Sequence, residues 1–341
     1  MTQIDQAWGA GPSARYEELA DQFRPVFARI RETAIGRDIE HRLPHDEIRW
    51  LRSANFTTLR VPVEEGGLGA TLPELFNLLI ELSEADPNVT NALRAHFGFT
   101  EDVLISAVPA YRETWLQRIV RGETAGSGFS ESGDAKVSAF STQLIRNGDH
   151  WLLNGKKFYT TGSLFADWIN LAATDEAGET IGAQVSTRAP GVTILDDWDG
   201  FGQALTASGT VIFKDVVLTS ALINPSRQRF RYSVAFFQLV HLAALAGIGR
   251  AAANDVSRLV GERQRVYSHG NADRAAADPQ ILQVIGAVHS AAYGAAAIVL
   301  KAAEAVQRAH EAYAVAACRV WTRRLRWPTW RSTRPSPSSP I

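Results

Sequence analysis

The chain has 341 residues, enough for two or three packed units, and its 45% hydrophobic and 21% charged side chains are the balance of an ordinary soluble globular protein. Its formal charge of −1 hides an asymmetry, because residues 318–341 hold six of the 35 basic side chains and no acidic one. The remaining 317 residues carry a net charge of −7, which would repel a phosphate backbone and argues against nucleic acid as a partner. The single cysteine, Cys318, excludes an intrachain disulfide or a cysteine-based metal site.

The N-terminus shows no basic stretch followed by an apolar core, so no secretory signal is expected. In the first stretch, to about residue 122, Tyr16, Leu19, Phe23, Val26, Phe27 and Ile30 recur at helical spacing. A second helix is expected from Pro44, with acids in its first turn, and a third from Pro73, with Leu75, Phe76, Leu79 and Leu82 on its apolar stripe. Asp86 is placed to cap a fourth, with Pro87 in its first turn. From Gly122 the texture changes to short strand-like runs with turn signals between them (WLLNGKKFYTT, WINLAAT, TIGAQVST, GVTIL and TVIF), which predicts a β-barrel or sandwich to about residue 225. Two long helices follow, one from Ser233 and one capped by Asp278-Pro279, as part of a helical bundle over 226–317. The uncharged run from Tyr232 contains Gln238 and His241 and reads as a central buried helix rather than a membrane span. A cytoplasmic location is the expectation.

Helices, then a β-domain, then a bundle is the α+β architecture of the acyl-CoA dehydrogenase superfamily. The motifs GFSE, LNGKKFYTTGSLFADW and GFGQALTASGTVIFKDVVL stand in its order, and the resemblance covers residues 15–316. ALRAHFGF, FYTTGSLFADW and DDWDGFGQALTASGTV resemble one branch more closely, the reduced-flavin monooxygenases of sulfur acquisition. After Glu131 the chain has SGDAKVS in place of the dehydrogenases' EPGAGSD-type loop, which helps hold acyl-CoA, so a thioester substrate is not expected. No GxGxxG or P-loop pattern is present, and electrons are expected from a separate NAD(P)H:flavin reductase.

The resemblance implies FMN, with FAD as the alternative, and a small organosulfur substrate oxygenated with O2. It places Ser127, Phe129, Ser130, Tyr159 and Thr161 along the flavin ring. It makes His96 and Thr161 the catalytic candidates, His96 because an imidazole titrates near working pH. Arg265, beside Arg263 after the first bundle helix, is the candidate for the flavin phosphate, since a guanidinium fork suits phosphate and the family often supplies this arginine across a subunit interface. A homo-oligomer is implied, and no metal. The runner-up readings are an FAD-dependent acyl-CoA dehydrogenase and an inactive remnant of either enzyme.

The ending from Cys318, with its arginines, three tryptophans and four prolines, resembles no part of that family and is expected to be disordered. Read one base out of register, each tryptophan codon yields Leu, Met or Val, and the segment can become an Ala- and acid-rich helix. A frameshift is therefore expected, and an intact frame through codon 318 would reject it.

Overall fold

The computed structural model describes residues 8–132, 140–224, 229–266 and 268–317, so the readings made for the basic tail lie outside the described residues. The expected apolar stripe folds as α1 (Ala14–Glu40), capped by Ser13, whose hydroxyl accepts the Tyr16 amide. Tyr16, Leu19, Phe23, Phe27 and Ile30 are buried along it. α2 (His45–Ser53) starts one residue after Pro44, and α3 (Leu72–Ala85) opens on a capping box in which Thr71 and Glu74 satisfy each other's backbone amides. Asp86 closes α3 and caps α4 (Pro87–Leu104), and α5 (Pro109–Val120) completes the first helical layer.

Between them the chain forms one sheet from β1 (Ala125–Gly128), β2 (Gln143–Asn147), β3 (His150–Lys157), β4 (Trp168–Thr174), β5 (Thr180–Ser186), β6 (Val192–Ile194), β7 (Val211–Thr219) and β8 (Ile223–Asn224). The strand order is β6-β7-β3-β2-β4-β5-β8, with β1 pairing parallel to β4. Alternation along β7 buries Val211, Phe213, Val216 and Leu218 against Leu144, Leu153, Leu171 and Val185. The two Asn-Gly steps behave differently. Asn147-Gly148 turns β2 into β3, whereas Asn154-Gly155 lies inside β3 and shifts its register against β7.

The last helices are α6 (Ser233–Glu262) and α7 (Pro279–Ala317). They do not form a core of their own. Phe236, Leu239, Val240 and Ala243 of α6 and Val299, Ala303 and Val306 of α7 join Phe23, Phe56, Phe76 and Phe97 in one helical core. Gly247 lets α6 close on α3, because a Cβ there would sit 2.5 Å from the Ile80 carbonyl oxygen. Both helices are long and apolar enough to cross a membrane by length and composition alone, and their outer faces expose Leu245 and Ile298.

Candidate active site

The loops at the end of β1, after β3 and before β7 meet in one place. Ser127 donates its amide to the Thr161 carbonyl (3.1 Å), and Phe158 donates its amide to the Ser130 carbonyl (3.0 Å). Glu131 then pairs with Lys157 (2.6 Å) and accepts the Ser141 and Thr142 amides, tying down the far side of the same loop. Four of the residues expected along a flavin, Ser127, Ser130, Tyr159 and Thr161, are thus assembled by backbone pairing.

The segment 197–209 supplies the opposite wall, with residues that sequence reasoning did not single out. Trp198 packs on Tyr159 at 5.6 Å between ring centroids and donates its indole N–H to the Gln203 carbonyl. Tyr159, Gln203 and Ala207 all adopt left-handed backbone, with φ of 58°, 56° and 50°. Non-glycine residues hold that conformation at a cost of about 1–3 kcal/mol each, which marks ligand cradles and other functional loops. Tyr159 stays half exposed in spite of its aromatic ring, and the Gln203 side-chain oxygen is buried without a partner. The motif containing these residues stood out in the sequence, but nothing in residue type betrays a left-handed Gln or Ala.

Inside this wall runs a directional chain of hydroxyls. Thr206 donates to the Gln203 carbonyl (2.8 Å), so Ser208 must donate to Thr206 (2.7 Å), and Thr161 must donate to Ser208 (2.7 Å). Thr161 has spent its only hydroxyl hydrogen inward. Toward anything else it can only accept.

His96 lies on α4, 1% exposed, with Nε2 donating to the Thr57 carbonyl at 2.8 Å and Nδ1 buried without a partner. Burial, with Arg52 nearby, pushes the imidazole down to about 4 against the Thr57 hydrogen bond, so it is neutral at pH 7. It shares a helix face with Ala92, whose carbonyl abuts Gly162, and therefore packs toward the root of the 160–163 loop. Phe129 points elsewhere, stacked under Arg229 at 4.5 Å, which in turn lies over Phe237 of α6 at 4.7 Å. Arg265 is exposed in the segment after α6. Arg265 thus stands just past the end of α6, roughly 30 Å along that helix from His241 at 1.5 Å per residue.

The family model for the acyl-CoA dehydrogenase N-terminal domain matches residues 13–123, and that for the acyl-CoA dehydrogenase middle domain matches residues 128–216. The chain belongs to the acyl-CoA dehydrogenase superfamily. Within that superfamily it is 24% identical over 277 residues to the probable FMNH2-dependent monooxygenase SfnC of Pseudomonas putida, a match covering 79% of this chain and 67% of that protein. It is 26% identical over 306 residues to the dibenzothiophene monooxygenase of Rhodococcus erythropolis, covering 83% of this chain and 72% of the relative. The fold superposes on FMN-bound TdsC from Paenibacillus sp. A11-2 with a TM-score of 0.73 at 24% identity, over 83% of this chain and 76% of that one.

The cradle fits the flavin of this superfamily in three respects. It has aromatic walls in Tyr159 and Trp198, an orphaned amide oxygen in Gln203, and a hydroxyl acceptor in Thr161. The carboxylates on the neighbouring face of α4 are already engaged. Glu101 is buried against Arg60 (2.6 Å) and the Tyr232 hydroxyl, and Asp102 accepts Arg229 (2.9 Å) and the Phe230 amide (3.1 Å). Neither is free to serve as the proton-abstracting base that an acyl-CoA dehydrogenase needs.

Proposed function

We propose that the chain is an FMNH2-dependent monooxygenase that transfers one oxygen atom of O2 to a small organosulfur compound. The observation that carries this reading is the orientation of the hydroxyl chain. Thr161 is left as an obligate acceptor, and an acceptor suits the additional ring N–H that a flavin gains on reduction. The names of the relatives support the same chemistry. Bound reduced FMN would supply the two electrons that activate O2.

This chain's residues would hold and shield it. Tyr159 and Trp198 would cover the ring, Ser127 and Ser130 would line its edge through the loop backbone, and Phe129 would separate it from α6. His96, neutral and buried, would use its unpartnered Nδ1 only as an acceptor unless a proton enters, so we assign it to proton traffic behind the 160–163 loop. Arg265, exposed just past the end of α6, would serve the flavin phosphate of a second copy, which makes the working form a cytoplasmic homo-oligomer fed by a flavin reductase.

The test is a titration of the purified chain with FMN, oxidised and then reduced under anaerobic conditions, followed by coupled turnover with a reductase and an organosulfur substrate. Tighter binding of the reduced form and an oxygenated product are expected. Equal binding of both forms, with acyl-CoA oxidation instead, would replace this reading by the dehydrogenase one.

A further inference from the structure

A cavity of about 770 Å³ lies between the first helical layer and the last two helices, beside the segment 8–11. Its walls come from α1, α3, α6 and α7, and none of its lining residues belongs to the sheet or to the flavin cradle. A void of this size is unusual in a close-packed interior and falls in the range of ligand sites. It persists where small side chains, Ala85 of α3 and Ala296 of α7, stand on its walls. Trp8 borders it, stacked on His289 of α7 at 5.5 Å, with the Arg250 guanidinium of α6 over its ring at 4.9 Å.

The charges on these walls cancel, since Arg24, Arg31 and Arg250 stand among Glu17, Glu81 and Glu84. Each carboxylate is spent on the protein. Glu81 accepts the Tyr16 hydroxyl (2.8 Å) and two N–H groups of Arg24 (both 3.1 Å), and Glu17 accepts Arg24 (2.9 Å). Glu84 accepts Arg31 (3.2 Å) and Asn254 (2.7 Å) and neutralises Arg250, whose Nε lies 3.1 Å away. The cavity is therefore suited to an uncharged occupant. Two neutral groups remain unspent. Asn77 of α3 lines the cavity, 8% exposed and without a hydrogen bond to any described residue. Trp8 Nε1–H is buried without a partner. Leaving such groups unpaired is costly, and the amide presents an acceptor beside two donors.

We infer that this cavity is a second ligand site, separate from the flavin cradle, for an uncharged flat heterocycle with a lactam edge. A lactam carries an N–H and a C=O side by side, and these pair with the Asn77 carboxamide donor to acceptor and acceptor to donor. Trp8 Nε1–H offers one more donor to an oxygen on the same ring system. Phe27, Tyr293 and Leu300 supply aromatic and apolar contact for the ring. The occupant touches α1, α3 and α7 at once, so it joins the first helical layer to the last helix and stabilises the fold by mass action.

The experiment titrates the full chain, with FMN in excess, against 2-quinolinone, quinoline and quinoline-2-carboxylate by calorimetry near neutral pH. The first carries the lactam edge, the second the same rings without it, and the third a negative charge. 2-Quinolinone is expected to bind and to raise the melting temperature, and the other two to bind about tenfold more weakly or less. Asn77→Leu is expected to weaken 2-quinolinone about 5- to 30-fold, the range for one or two lost neutral hydrogen bonds. The same variant should melt no lower than the parent, because an unpartnered buried amide gives way to an apolar side chain of similar size. Ala296→Phe, which fills the space, should abolish 2-quinolinone binding and leave FMN binding intact. No binding of 2-quinolinone, equal binding of quinoline, or unchanged affinity in Asn77→Leu or Ala296→Phe each overturns the inference. So does a lowered melting temperature of Asn77→Leu, which would make Asn77 a structural amide. Failure of FMN to bind bears on the monooxygenase reading alone, since the cavity shares no residue with the cradle.

Discussion

Helix α4 presents two polar faces that follow opposite rules. Arg94 and His96 are two positions apart, some 200° round the helix, so they cannot serve the same ligand face. Toward the sheet, His96 is 1% exposed, held neutral, and donates to a main-chain carbonyl. Toward α6, Arg94 is partly exposed, permanently charged and, among the described residues, paired with no carboxylate. The first face holds a neutral polar group inside the core, and the second a charged one at its edge. The imidazole keeps one nitrogen, Nδ1, buried and unpartnered, whereas the guanidinium spends Nη1–H on His241.

The contrast can be broken from the packing side with the largest effect. Gly162 holds φ +82°, and a Cβ there would meet the Ala92 carbonyl oxygen at 2.2 Å. Gly162→Val should cost about 3 kcal/mol or more in denaturant unfolding, since strain and a backbone clash add. A wild-type-like midpoint would show that α4 does not lean on this loop.

His96 gives a smaller, pH-dependent effect. Its folded pKa of about 4 lies below the ordinary 6.5, so its contribution is complete above pH 6.5 and is lost as pH falls toward 4. His96→Phe should flatten the stability profile between those values by about 1–3 kcal/mol at the acid end. Parallel profiles of parent and variant would show that the buried imidazole is already charged. Smallest is Thr161→Val, which should weaken reduced FMN by roughly 3- to 10-fold and oxidised FMN little, with Thr161→Ser close to the parent. Equal losses for both redox forms would remove the acceptor role.

Much of the fold was legible because its signals are local. The Asp86-Pro87 cap, the apolar spacing of Tyr16 to Ile30 and the runs that became β4 and β5 each depend on neighbours a few residues away. The cradle was legible only as motifs, since Ser127, Ser130, Tyr159 and Thr161 are joined by pairings between distant segments. What escaped depends on tertiary context alone. The left-handed turns at Gln203 and Ala207, and the pairing of Arg94 with His241 across two helices, cannot be read from residue types. Inside β3, Asn154-Gly155 shows the converse, a strong local turn signal overruled by pairing on both sides.

The buried Asp86 carboxylate does more than end one helix and begin the next. One oxygen meets Arg37 of α1 (2.7 Å), the other accepts the Asn88 amide (2.9 Å), and Asn88 in turn accepts the Leu205 amide (3.2 Å). The strained 203–207 turn is thereby suspended from the first helix of the chain through four side chains and main-chain groups. Protection against hydrogen exchange at Leu205 should rise and fall with that of the α1–α4 core, so that a loop with the geometry of a flexible lid behaves as a fixed wall.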